Sequence, residues 1–313
     1  MRIGLDVMGG DFAPSATVKG AILALQEMPK DSRVVLIGDE ALISDELQKE
    51  NADIKTFDIV HAPDVIGMAE HPAKAFTKKP QSSISVGFHL LKNGEIDGFA
   101  SAGNSGAMLV GSFYTVKAII GVIRPSITSV LPKENGSVGL ILDVGINADC
   151  KPDVLYQFGI LGSLYAEHVY GVKNPKVALL NIGEEEGKGN LLTQSTYQLM
   201  KDSEDFNFVG NIEGRDLFND TADVIVCDGF TGNVVLKQAE AFYGMTRKRG
   251  IEDEYFARFN YENYGGTPVL GVNGTVVIGH GISNGKAIKN MIMHTAEVIQ
   301  ANLSEKIKQA FQG

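Results

Sequence analysis

Short apolar runs rich in β-branched residues recur along the chain, each followed by a glycine-rich turn and then a stretch of helical spacing. RIGLDV at 2–7 leads into MGGDFAPS and a helix with Val18, Ile22 and Leu25 on one face. RVVLIG at 33–38 precedes a helix from about Glu40, and DGFASA at 97–102 precedes one from about Ser105. PKVALLNIG at 175–183 leads to a helix from about Leu191, and DVIVCDG at 223–229 to one from about Val234. TVVIG at 275–279 precedes a long helix running to about Phe311. Such alternation predicts an α/β fold, a largely parallel sheet covered by helices on both faces.

Two stretches depart from this pattern. SITSVLP (126–132) and SVGLILDVG (137–145) flank Lys133-Glu134-Asn135-Gly136, which reads as a hairpin and makes the sheet mixed. Residues 242–266 contain no strand pattern; Ile251, Tyr255 and Phe259 are spaced i, i+4, i+8, as on one stripe of a helix. One domain over 1–313 with a helical excursion at about 242–266 is the expectation.

Composition narrows the class. With 44% hydrophobic and 21% charged residues the chain can bury a large core. Its 36 glycines lie well above the usual ~7% and punctuate the apolar runs, as ligand-binding loops require. A net charge of −10 argues against nucleic acid as partner. Two cysteines, Cys150 and Cys227, suit a reduced, cytosolic protein. The start MRIGLDVMGGDFAP lacks a signal-peptide pattern, and the apolar stretch Met108–Ile123, interrupted by Lys117, is short for a bilayer span.

In open α/β sheets ligands bind at the carboxyl ends of strands. That rule selects loops 6–11, 101–106, 143–147, 181–189, 228–233 and 279–285. Several open directly into a helix, where free N–H groups and the dipole suit an anion; each alone also reads as an ordinary tight turn. Familiar motifs fail in detail. Gly183 to Lys188 has the wrong spacing for a Walker A loop, and Gly279-x-Gly281 with Gly285 is one residue late for a dinucleotide fingerprint. No nucleophile elbow surrounds Ser105, neither cysteine has an adjacent base, and the six histidines show no zinc spacing. His280 stands apart because it lies in a rim loop. Glu184-Glu185-Glu186 before Lys188 reads either as a solvated charge run or as a phosphate loop with Lys188 turned inward.

LDVMGGDFAP, SAGNSGAML, DVGINADCKP, LNIGEEEGKGN, GNIEGRDLF, CDGFTGNVVLK, YGGTPVLGVNG and HGISN, in that order, closely resemble the PlsX family of bacterial phosphate acyltransferases. The family usually has Thr where Ser105 stands, Ala at Ile146, Gly at Ala241 and Ala at Thr267. The resemblance implies reversible transfer of a fatty acyl group from acyl carrier protein to inorganic phosphate. It implies a three-layer α/β/α sandwich, like that of isocitrate and isopropylmalate dehydrogenases and phosphotransacetylase. It further implies a cytoplasmic homodimer that associates peripherally with the membrane, where a glycerol-3-phosphate acyltransferase consumes the acyl phosphate in phospholipid synthesis. No metal and no nucleotide cofactor is expected.

Direct attack by phosphate on a thioester needs a cradle for phosphate, donors for the oxyanion and help for the leaving thiolate. Lys188 is expected to neutralise charge, Asn233 to donate an amide N–H to the oxyanion, and His280 to protonate the sulfur. Asn104 and Ser105 with Gly103 and Gly106 are expected to line the phosphate cradle, and Asp6 and Asp228 to orient loops or donors. Arg247, Lys248 and Arg249, with Ile251, Tyr255 and Phe259 nearby, are the candidate surface for acidic carrier protein or lipid; a dimer-interface helix is the alternative. A coenzyme A-dependent phosphotransacetylase and a noncatalytic carrier-protein scaffold are the rival functions.

Overall fold

The computed structural model describes residues 1–312. They form two compact units: residues 1–118 with 261–304, and residues 119–260 with those from Glu305 on. In chain order the strands are β1 (Arg2–Asp6), β2 (Arg33–Gly38), β3 (Asp58–His61), β4 (Gly98–Ser101), β5 (Ser126–Pro132), β6 (Val138–Leu142), β7 (Lys176–Leu180), β8 (Asn207–Ile212), β9 (Val224–Val226), β10 (Thr267–Leu270) and β11 (Thr275–Ile278). The α-helices are α1 (Ser15–Glu27), α2 (Glu40–Lys49), α3 (Pro72–Lys78), α4 (Ser83–Lys92), α5 (Ser105–Gly111), α6 (Pro152–His168), α7 (Leu191–Met200), α8 (Gly229–Lys248), α9 (Glu254–Ala257), α10 (Gly285–Gln300) and α11 (Leu303–Gln312).

In the first unit the strand order is β3-β2-β1-β4-β11-β10. The first five are mutually parallel and β10 runs antiparallel to β11. Alternation along the strands sends Ile3, Leu5, Leu36 and Ala100 to one face, where Val18 and Ala21 of α1 and Ile288 and Met291 of α10 cover them. On the other face Phe99 meets Phe88 of α4 edge-on, ring centroids 5.1 Å apart. A Cβ on Gly87 would stand 2.2 Å from the Phe99 ring, so the close approach of α4 depends on glycine. Each buried aromatic contributes about 1.5–3 kcal/mol through lost water contact.

In the second unit the order is β5-β6-β9-β7-β8. The expected hairpin is present: β5 pairs antiparallel with β6, Thr128 opposite Leu142 through Pro132 opposite Val138, and the others are parallel. Ile141, Ala178 and Ile225 pack with Leu236 and Ala239 of α8 and with Phe259. α6 covers the opposite face, with Gly162 closely packed on Val224 and Leu142. The architecture is the expected α/β/α sandwich with a mostly parallel, mixed sheet.

Differences from the sequence pattern have local causes. β3 and β8 close one end of each strand order, and their half-exposed residues form no continuous apolar run. α8 starts at Gly229, five residues before Val234, because the Asp228 carboxylate accepts the Thr231 N–H and caps it there. The long C-terminal helix breaks into α10 and α11 at Asn302, which has φ 52°. The excursion is not one helix: α8 runs to Lys248, Ile251 lies outside any helix, and α9 is a single turn. The stripe also turns inward. Tyr255 donates its hydroxyl to the Pro132 carbonyl at 3.0 Å, and Phe259 is buried against Phe218 and Tyr255. Phe259 is therefore a core residue and not a surface for carrier protein or lipid.

Candidate active site

Three of the six rim loops belong to each unit. In the first, β1 ends in Asp6, whose carboxylate is wholly buried and accepts from Met8 N at 3.0 Å and Ser101 Oγ at 2.6 Å. Burial raises its pKa above the ordinary carboxylate value, and the hydrogen bonds from Ser101 and Met8 oppose that rise. Ser101 Oγ in turn accepts the Gly103 N–H at 3.0 Å. A Cβ on Gly9 would stand 2.4 Å from Asp6 Oδ2 and 2.7 Å from Gly103 N, so the two loops meet where no side chain fits. Asp6 thus ties the loop after β1 to the loop after β4 through its buried oxygens.

Asn104 departs from expectation. Its Oδ1 accepts Ala107 N at 3.0 Å, capping α5, while Nδ2 donates to the carbonyls of Gly67 at 3.0 Å, Met68 at 3.3 Å and Glu70 at 3.1 Å. Both amide hydrogens are committed, so this side chain clamps the 67–70 segment and does not line a phosphate cradle. Ser105 is exposed at the first residue of α5, and Gly106 lies against Pro72. The His280 ring tilts over Tyr261 with centroids 4.8 Å apart, and its carbonyl accepts the Ser283 N–H at 3.0 Å.

Asn104→Ala is expected to destabilise the protein by about 1–3 kcal/mol, from a lost cap and the partly buried carbonyls of the 67–70 segment left short of a donor. Asn104→Ser, which keeps a capping oxygen, recovers about 1 kcal/mol in urea unfolding. A raised phosphate KM at unchanged stability would return the amide to ligand binding.

The second unit repeats the device. Asp143, buried at the end of β6, accepts Asn147 N at 2.6 Å and Asn147 Nδ2 at 2.8 Å, and burial raises its pKa. The Asn147 carbonyl accepts the Gly229 N–H at 2.8 Å, tying this loop to the start of α8. A Cβ on Gly232 would fall 1.9 Å from the Asp143 carbonyl oxygen. Asp143 and Asn147 were not singled out from the sequence. The signal was the repeated L-D-V-x-G of 5–9 and its shortened form L-D-V-G at 142–145.

Asn233 lies in the second turn of α8, not at its start, and is exposed; Nδ2 donates to the Val144 carbonyl at 3.2 Å. One hydrogen of that amide remains for another acceptor. Asp228 spends its carboxylate on Thr231, accepting its N–H at 2.9 Å and hydroxyl at 2.8 Å. It is the N-terminal cap of α8.

The acidic loop resolves in a specific way. α7 begins at Leu191 with Asn190 as its cap, so the three glutamates do not stand at a helix start. Glu184 pairs with Arg215 at 3.3 Å, and Glu186 with Lys201 at 3.3 Å and with Gln198. Asn211 Nδ2 holds the Glu185 carbonyl at 3.1 Å, and Asn181 Nδ2 holds that of Lys188 at 3.1 Å. The Lys188 stem crosses Gly183, whose Cβ would stand 2.8 Å from Lys188 Cγ. The Lys188 ammonium is exposed and engages no carboxylate within salt-bridge range among the described residues. Neither thiol is poised as a nucleophile: burial pushes Cys150 up to about 12 and Cys227 well above its ordinary value. No group of metal-ligating side chains is present among the described residues.

Comparison with known proteins agrees. The model of the fatty acid synthesis protein family matches residues 1–249 and 250–306. A phosphate acyltransferase of Dictyoglomus turgidum is 44% identical over 98% of this chain and 96% of its own. One of Desulforamulus reducens is 44% identical over 100% of this chain and 98% of its own. In fold, a phosphotransacetylase from Streptococcus pyogenes superposes with a TM-score of 0.69 at 17% identity, covering 96% of this chain and 94% of that one. A branched-chain phosphotransacylase from Enterococcus faecalis does so at 0.66 and 14% identity, covering 96% and 99%. The class is thereby defined: an acyltransferase enzyme on an α/β/α sandwich. The chain belongs to the fatty acid synthesis protein family, the PlsX family whose motifs its sequence carries.

Proposed function

We propose that the enzyme transfers a fatty acyl group from the thioester of acyl carrier protein to inorganic phosphate, giving acyl phosphate and the free carrier thiol. A phosphate oxygen forms a bond to the carbonyl carbon, the carbon–sulfur bond breaks, and the thiolate leaves with the electron pair and takes up a proton. The observation that carries this reading is Lys188: an ammonium without an ion pair among the described residues, in a glycine-rich loop where Glu184 and Glu186 are drawn off to Arg215 and Lys201 and Glu185 stays beside its stem over Gly183. A lone cation there attracts a dianion and stabilises the negative charge that grows on the tetrahedral centre. Inert thiols fit a direct displacement with no acyl-enzyme. The curated relatives, named phosphate acyltransferases, support phosphate as acceptor.

We assign Lys188 to charge neutralisation and the free amide hydrogen of Asn233 to the oxyanion. Ser105, with backbone groups of Gly103 and Gly106, is assigned to phosphate and His280 to the proton delivered to sulfur. Asp6 and Asp228 act through the loops they hold. Arg247, Lys248 and Arg249 are exposed at the end of α8 beside Ile251, and supply the local positive charge an acidic carrier needs on a chain of net charge −10. The same surface is assigned to lipid contact; no helix among the described residues is long and apolar enough to cross a membrane. A homodimer, handing acyl phosphate to a membrane acyltransferase that uses glycerol 3-phosphate for phospholipid synthesis, completes the proposal.

Incubating the protein with palmitoyl carrier protein and phosphate is expected to give palmitoyl phosphate by mass spectrometry, in proportion to phosphate. A parallel arm with palmitoyl coenzyme A identifies the preferred thioester. Thioester loss that ignores phosphate, or none with either donor, would overturn the reading.

A further inference from the structure

A cavity of about 270 Å³ opens in the second unit beneath the loop that carries Lys188. Its floor is apolar, built by Leu155 of α6, Leu179 and Leu180 of β7, and Cys227 at the end of β9. Gly189, the residue after Lys188, lines it, as does Asn181, whose amide holds the Lys188 carbonyl. The cavity is therefore fixed to the same loop as the candidate catalytic lysine.

Most of the polar groups at its rim already have partners, the exposed Asn190 amide and one hydrogen of the Asn181 amide excepted. Asn181 Oδ1 accepts the Ile182 N–H at 2.9 Å while its amide holds Lys188. Thr193 Oγ1 donates to the Asn190 carbonyl at 3.1 Å, and Thr231 Oγ1 to the Asp228 carboxylate at 2.8 Å. Asn190 Oδ1 accepts the Thr193 N–H at 2.9 Å. A ligand rich in amides or hydroxyls would find few unspent partners here, and burying its polar groups without them is costly. A hydrocarbon needs none. Its gain is the ordinary one of leaving water, about 0.8 kcal/mol for each buried methylene.

The mouth continues that preference outward. Ile182, on the lining, is 81% exposed; Leu191, next to Asn190, is 83% exposed, and Phe230, next to Thr231, is 68% exposed. Ile182 is thus a large apolar side chain left in water on the lining itself, and the other two directly follow or precede lining residues. In size, a 150 Å³ cavity accommodates benzene, so this one accommodates a chain on the order of ten carbons.

We propose that this cavity receives the alkyl chain of the acyl thioester, and that Leu180 and Thr193 set the chain length accepted. The inference rests on the acyl transfer proposed above and adds to it the place and chemistry of the chain. It accounts for an apolar chamber attached to a loop whose outer side is charged.

The test measures kcat/KM for butyryl, decanoyl and palmitoyl carrier protein with Leu180→Phe, Thr193→Leu and Leu180→Ala, folding being checked by circular dichroism. One methylene too many in an apolar pocket is worth roughly 10–200-fold in specificity. Leu180→Phe and Thr193→Leu are expected to lower the decanoyl-to-butyryl ratio by at least about tenfold on that scale. Leu180→Ala is expected to move the optimum toward longer chains, and covers the case in which a bulky variant fails to fold. Unchanged ratios in the folded variants, or equal losses at every chain length, would overturn the assignment. If the parent protein consumes no thioester of any length, the acyl-transfer reading itself fails, a result distinct from an unmoved ratio.

Discussion

Lys188→Ala is expected to lower kcat for acyl phosphate formation by roughly 10²–10³-fold, the usual cost of removing one preorganised group that stabilises an oxyanion. Stability is expected to stay within about 0.5 kcal/mol of the parent, because the side chain is exposed and makes no ion pair. What is lost is the alkyl contact across Gly183, which is small. Lys188→Arg keeps the charge but replaces a compact ammonium with a planar fork, so partial recovery is expected. If phosphate binding were the whole role, KM for phosphate would rise at constant kcat; a fall in kcat at saturating phosphate places the ammonium at the developing charge. Parent-like kcat in the alanine variant would remove Lys188 from the chemistry.

That assignment shows which part of the site a linear sequence carries. Lys188 was legible because it stands among glycines after an apolar run, and that pattern is local. Whether the three glutamates would cancel it was not legible. The partners that draw two of them away, Arg215 from Glu184 and Gln198 and Lys201 from Glu186, lie 12 to 31 residues further on. Asn104 shows the reverse error. The G-N-S-G turn marked a rim position correctly, but the amide is consumed by carbonyls some 35 residues earlier in the chain. The fold was legible to the extent that a strand is buried on both faces. β1, β2 and β4 read directly, whereas β3 and β8 do not announce themselves. Ile251, Tyr255 and Phe259 kept helical spacing without one continuous helix: α8 ends at Lys248, only Tyr255 lies in the single turn α9, and Phe259 is drawn into the aromatic cluster around Phe218.

Lys133→Met is expected to destabilise the protein by about 3–5 kcal/mol, the cost of removing one partner from a buried ion pair. Lys133 opens the hairpin turn after β5, and its side chain is 1% exposed. Its ammonium donates to Asp223 at 2.6 Å and Asp220 at 3.0 Å. Asp223 also accepts the Lys176 N–H at 2.8 Å, so it joins the turn after β5 to the start of β7. Methionine fills the space but leaves the Asp223 carboxylate with that backbone donor alone in a largely water-free site. Lys133→Met/Asp223→Asn, which removes the two less exposed charges and leaves the exposed Asp220 beside Lys176, is expected to regain a substantial part of the loss. The difference is also pH-dependent in a defined sense. Lys133 holds the Asp220 carboxyl below its ordinary value, so its contribution is present above the unfolded pKa of about 3.8. It is lost as the pH falls through the lower, folded value, and the gap between parent and Lys133→Met should narrow in acid. A melting midpoint lowered by roughly 5–15 °C at pH 7 and by less at pH 3 is the expected pattern. A parent-like midpoint at neutral pH would show that Lys133 and its carboxylates are dispensable to the second unit.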